Sequence, residues 1–213
     1  MTERGMIFNA EMVRAILDGR KTQTRRIMKV QPEPSKSRPG DFWFSSKKLE
    51  SMVHVSDLVP GNSPVADCHL FFQEHCCPFG TVGDRIWVRE TFCAVPDHEE
   101  PTGCSALLYA ADGNGPYGKW TPSIHMPRFA SRILLEISDV RVERLNSMSE
   151  DDARAEGCCG GHDSIPGYMY SATPHEHFHH IWTSIYGDDS WQANPWVWVI
   201  EFKRIEGDDH ATD

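Results

Sequence analysis

At 213 residues, 24% charged and 39% hydrophobic, the chain is long enough for one domain with elaborations and a full core, without disulfide or metal staples. No apolar run reaches the roughly 18 residues of a membrane-spanning helix, Met1-Thr2-Glu3-Arg4-Gly5 lacks the plan of a secretory signal, and seven cysteines are an odd count, which argues for a reducing cytoplasm over a disulfide framework. The net charge of −10 speaks against a polyanionic partner, but residues 145–213 hold 13 acids and three Lys or Arg, whereas residues 1–30 hold seven Lys or Arg against three acids, and the local field is what counts at a site.

Asn9 caps a short predicted helix over residues 10–18, with Val13, Ile16 and Leu17 as its apolar stripe and Gly19 as its stop. Residues 19–26 then read as a polar, basic turn on the surface. Residues 31–65, rich in Pro, Ser, Lys and Asp, read as a long excursion that Phe42, Trp43 and Phe44 pack against the domain. The Gly83-Asp84 turn launches a strand over 85–92, and a second short strand covers 107–110. Gly113, Gly115, Pro116 and Gly118 mark a loop, and 133–142 is the clearest strand. Ser149 with Asp152 three residues on opens a helix that ends at Glu156 before Gly157. Thr173-Pro174-His175-Glu176 opens another, with Phe178, Ile181, Trp182 and Ile185 as its stripe and Gly187 as its stop. Residues 196–204 are a strand by composition. This order has no βα alternation, so the expected fold is α+β, a small mixed or antiparallel barrel flanked by short helices.

The histidine-rich stretch 175–180 places His175 and His179 at i, i+4, but no third ligand stands at a set distance, so neither metal nor cofactor is expected. P-loop, dinucleotide and nucleophile-elbow motifs are absent from the sequence. The informative segments are basic. Arg20, Lys21, Arg25 and Arg26 follow the first helix, where cations also complement a helix C-terminus. His125, Arg128 and Arg132 precede the long strand, with Trp120 and Phe129 nearby as candidate stacking surfaces. Together the two segments predict one positive cleft, with the acids of 145–213 mostly on the other side.

Ile16 to Arg26 carries Gly19-Arg20-Lys21-Thr22-Gln23-Thr24-Arg25-Arg26, which resembles the G-x-K-x-x-T-x-R signature of ASCH domains in the PUA-like superfamily. The Gly83-Asp84 turn with Trp87-Val88, and Trp198 to Phe202, resemble that family's middle and closing strands; the whole chain also resembles phage and prophage proteins carrying such a domain. The resemblance implies one PUA-like pseudo-barrel over residues 1–205, with inserted segments at about 31–80 and 93–120 and an acidic tail at 206–213. It implies a cytoplasmic protein that binds nucleic acid or a modified nucleoside, RNA ahead of DNA. One branch of the family removes the acetyl group of N4-acetylcytidine with a Lys, a Thr three residues on and a later Glu. Lys21 and Thr24 match the first two, and Glu156 the third, with Glu150 as fallback. Arg20, Arg25, Arg26, Arg89, His125, Arg128 and Arg132 are the substrate- or nucleic-acid-binding candidates. The other readings are a non-catalytic RNA or modified-DNA binding module and an acidic phage interaction protein.

Overall fold

The computed structural model describes residues 1–62, 67–95, 107–113, 115 and 118–205. Five strands form its main sheet: β1 (Glu3–Ile7), β2 (Gln23–Ile27), β6 (Arg85–Arg89), β9 (Leu134–Arg144) and β10 (Trp196–Arg204), in the order β1-β6-β9-β10-β2. Only β1 and β6 run parallel; the other three pairs are antiparallel, so the fold is α+β on a mixed sheet.

The unbroken apolar run of β10 has a structural cause, because both of its faces are covered. Trp196, Trp198, Ile200 and Phe202 join the larger core with Val13, Ile16 and Leu135. Val197 and Val199 join a second core with Leu145, Phe178 and Trp182. The register shifts between Glu201 and Phe202, a bulge that bends the strand.

The caps read from the sequence are formed. Asn9 accepts the Met12 N–H (2.8 Å) at the start of α1 (Ala10–Leu17). Ser149 and Asp152 make a reciprocal capping box on α3 (Glu150–Ala155), as do Thr173 and Glu176 on α4 (Pro174–Tyr186). A short α5 (Asp189–Gln192) follows.

Residues 31–80 hold a three-stranded sheet, β3 (Glu33–Pro34), β4 (Phe42–Ser46) and β5 (Ser51–His54), together with α2 (Cys68–Cys76). They are fastened to the main sheet from inside. Phe44, Val53 and Leu58 enter the larger core, and buried Gln73 donates to the Val140 carbonyl at 2.7 Å and to Leu58 O at 3.2 Å. A two-stranded ribbon, β7 (Phe92–Ala94) and β8 (Leu107–Tyr109), lies beyond β6.

Two local expectations need correction, and one strand has no counterpart among them. The segment read as a surface turn at 19–26 becomes strand from Gln23, paired with β10 from Val197 to Glu201. Strand β1, unmarked in the sequence by any apolar alternation, docks parallel to β6. The strand over 85–92 divides at Glu90–Thr91, where buried Glu90 takes a bidentate contact from Arg132 (3.0 and 3.1 Å). The acidic tail and part of the 93–120 segment lie outside the described residues. Among the described residues β1 and β2 share no ladder, so the sheet stays open; Arg26 reaches from β2 to the Ile7 carbonyl of β1 at 2.8 Å. No helix among them is long and apolar enough to cross a membrane.

Candidate functional site

Helix α1 ends at Gly19, and the chain turns so sharply that the N–H groups of Arg20 and Lys21 both donate to the Ala15 carbonyl. Lys21 then makes an isolated antiparallel bridge with Glu156, and the Thr22 N–H donates to the Ala155 carbonyl at 2.8 Å. The start of β2 is thereby clamped to the last turn of α3. Gly157 permits the close approach: its φ is +93°, and a Cβ there would sit 2.7 Å from the Ala15 Cβ.

The clamp brings together residues 135 positions apart. Lys21 Nζ donates to Glu156 Oε2 at 2.7 Å and to the Glu156 carbonyl at 2.9 Å, with both side chains buried. Arg25, also buried, donates to Glu156 Oε1 at 3.3 Å through Nη1 and reaches Glu143 and Asp152 through Nη2, both at 3.1 Å. Gln23 donates to the Asp152 carboxylate at 3.1 Å. Arg141 closes the network from β9, on Glu143 (2.5 Å), Asp139 (3.1 Å) and Glu201. Burial pushes the Lys21 ammonium below its usual range, and the Glu156 carboxylate pulls it back only in part. Burial alone would raise Asp152, but hydrogen bonds from Ser149, Gln23 and Arg25 hold its carboxyl far below the usual range.

Thr24 and Glu156 line the same small cavity, together with Arg25, Arg26, Met12, Phe178, Trp182 and Tyr186. Its free space is about 20 Å³, room for about one water molecule. Three donors from its lining residues, the Nε groups of Arg25 and Arg26 and the indole Nε1 of Trp182, are buried with no acceptor among the described residues.

The structure therefore gathers Lys21, Thr24, Glu156, Arg25 and Arg26 at one place. Arg20 borders it, donating to the Gly157 carbonyl at 2.9 Å and to Asp18 at 2.9 Å. Glu150 stays exposed in the first turn of α3. Arg89 is reached through β1: it pairs in register with Ile7 and donates to the carbonyls of Ser123 and Ile124, beside exposed His125.

The other two basic candidates face carboxylates. Arg128 pairs with Glu3 at 3.0 Å. Arg132 is held by Glu90 and Asp112 and lies over the Tyr109 ring, 3.9 Å from its centroid. The single cleft with acids on its far side is thus corrected: Glu156 and Asp152 are inside the basic cluster, because buried cations need carboxylates within contact distance. Histidines 175 and 179 pack edge-on against Trp191, and His177 bonds Glu11 at 3.0 Å.

Sequence reasoning missed Glu143, Gln23 and Trp182 as members of the site, and took Asp152 for a cap alone. Gln23 lies inside the G-x-K-x-x-T-x-R run and was the one readable signal. No family model, curated protein or solved structure matches the chain.

Proposed function

We propose that the chain is an ASCH-like member of the PUA-like superfamily that takes a nucleobase of cytosine type, from RNA or as a free nucleoside, and hydrolyses an N4-acyl amide on it. The observation that carries the reading is the buried Lys21–Glu156 pair, 2.7 Å apart, next to a cavity lined by Thr24. Those are the three positions that the family resemblance singles out, and Glu156 lies 135 positions from Lys21 in sequence. What supports the pseudo-barrel reading is the approach of the two edge strands, β2 and β1, through the Arg26–Ile7 contact.

The chemistry follows from the residues. The Thr24 hydroxyl attacks the acyl carbon once a base takes its proton. The pair shares one proton: when it rests on Glu156, Lys21, lowered by burial, is the neutral base that takes the Thr24 proton, and Glu156 delivers its own to the departing N4 amine as the C–N bond breaks, which leaves the ammonium–carboxylate pair. Water then cleaves the acyl–Thr24 ester, releasing the carboxylic acid and restoring the hydroxyl. The unpartnered N–H groups of Arg25, Arg26 and Trp182 suit the negative charge that develops on the acyl oxygen. A base enters only if the wall formed by Met12, Ile185 and Tyr186 opens; Ile185 and Tyr186 are exposed at the end of α4.

The closed cavity favours one second reading, a non-catalytic binding module that uses Arg26, Arg89 and exposed Phe129 on the surface. Chromatography of N4-acetylcytidine and other acylated cytosines, incubated with the wild type, Thr24→Ala and Glu156→Gln, separates the two. Turnover abolished in both variants is expected. Wild-type protein without turnover that still binds an RNA oligonucleotide would leave the module.

A further inference from the structure

A second, much roomier cavity has no part in the site above and shares no residue with it. It opens where β2 runs out, between the β4–β5 hairpin and the C-terminal end of α2, and encloses about 390 Å³, within the range of small-molecule sites. Its floor is apolar: Met28, Phe44, Phe79 and Trp198. Phe44 and Trp198 meet edge to face at 6.4 Å and belong to the core, so the floor is rigid. Arg4, Lys29, Lys47 and Lys48 supply positive charge around it, with the His75 ring beside them, and no carboxylate is part of the lining.

On a chain of net charge −10, four cationic side chains around one apolar hollow are a local concentration of positive charge. Arg4 is neutralised by Asp84 at 2.9 Å, but Lys29 and Lys47 have no ion-pair or hydrogen-bond partner among the described residues, and Lys48 reaches only the Glu74 carbonyl at 3.3 Å. That last contact ties the hairpin to α2, as does Cys76 Sγ on Ser46 Oγ at 3.6 Å, so the walls are preformed. The two thiols are no nucleophiles: burial raises Cys76 and pushes Cys77 up to about 12. The hollow is built to hold a ligand and lacks the groups to transform one.

We propose that this cavity binds a small phosphomonoester with a flat aromatic body, of nucleoside-monophosphate size. The ring lies on the Phe44–Trp198 floor, and the phosphate dianion meets Lys29, Lys47 and Lys48. A dianion answers several unneutralised ammonium groups better than a single carboxylate, and an apolar floor favours a ring over inorganic phosphate. The proposal is independent of the chemistry assigned to Thr24 and Glu156.

Isothermal titration of the full chain with adenosine 5′-monophosphate, adenosine, inorganic phosphate and a hexauridylate tests it. Saturable 1:1 binding of the monophosphate is expected, at least tenfold tighter than adenosine or phosphate. It should weaken at least tenfold in K29E/K47E, whose side chains are exposed, and in S45W, which fills the hollow from β4. Both variants should keep the wild-type melting temperature, and Thr24→Val should bind normally. The proposal is overturned by no monophosphate binding, by phosphate binding as tightly, or by unweakened binding in both hollow variants. Hexauridylate binding without monophosphate binding would overturn it too, by assigning the surface to a polymer.

Discussion

Lys21 is the residue on which stability and function converge. Its side chain is wholly buried and its charge is balanced by Glu156 at 2.7 Å. Truncation would leave the Glu156 carboxylate buried with Arg25 alone, and removal of one partner of a buried pair costs about 3–5 kcal/mol. Lys21→Ala is therefore expected to lower the urea midpoint substantially, and Lys21→Met with Glu156→Leu to cost less than the two single changes added. A double-mutant cycle in urea checks this; strict additivity would show that the pair is uncoupled. Asp152 carries the matching acid sensitivity. Its carboxyl is depressed in the folded chain, so its contribution is full above the unfolded value of about 4 and is lost as pH falls toward the folded one. Wild type and Asp152→Asn should differ in denaturation midpoint at pH 7, with a gap that begins to narrow below about pH 4 and keeps narrowing as the pH falls further. A gap of the same size at pH 7 and pH 2 would assign the difference to geometry and not to charge.

At the scale of elements, the site depends on how closely α1, β2 and α3 approach. Gly157 sits at the crossing, with φ +93°, and its missing Cβ would stand 2.7 Å from Ala15 Cβ and 3.2 Å from Lys21 Cβ. Gly19 ends α1 with φ +73° in open space. The two glycines separate backbone strain from packing. Gly19→Ala should cost about 1 kcal/mol for the left-handed backbone alone, and Gly157→Ala at least about 2 kcal/mol more because helix and strand must part. Thermal melts of the two variants measure the difference, and equal losses would mean that the α1–α3 contact yields freely. Gln73 does comparable work for the 31–80 segment, since its amide is the polar contact that fastens α2 to β9 beneath an otherwise apolar seam.

Across the whole molecule, the strongest basic side chains are used internally. Arg25, Arg132 and Arg141 each engage at least two carboxylates, so the positive count of the first 144 residues overstates the charge offered to a partner. Phosphates met by the main-sheet face would find chiefly Arg26, Arg89 and partly neutralised Arg128. Binding of a single-stranded oligonucleotide should accordingly show a shallow salt dependence, with a slope of log K against log salt no steeper than about −2 to −3. Fluorescence anisotropy over a salt series reads this directly, and a slope near −6 would mean that the internal ion pairs open to the ligand.

The helices were legible in the sequence because their signals are local. A cap residue, a Glu or Asp three positions on and a stripe at helical spacing need no distant partner, and Asn9, Ser149 and Thr173 all start helices where they were read to. The long strands β9 and β10 were legible for the same reason, in their composition. Lys21, Thr24 and Glu156 could be named from a motif, but their surroundings could not. Charge at 19–26 reads as surface because an isolated buried cation is prohibitively costly; only the tertiary structure supplies the carboxylates of Glu156, Asp152 and Glu143 that make burial tolerable. Strand β1 and the basic hollow beside Trp198 were illegible on the same physical ground. Strand β1 pairs with a strand about 80 residues on, and the hollow joins residues 4, 27–30, 44–48, 75–79 and 198; no local pattern encodes which partner a segment will meet. What the sequence determined by itself is where chain direction and local conformation change; what the tertiary structure decided is which charges are spent on each other and which remain for a ligand.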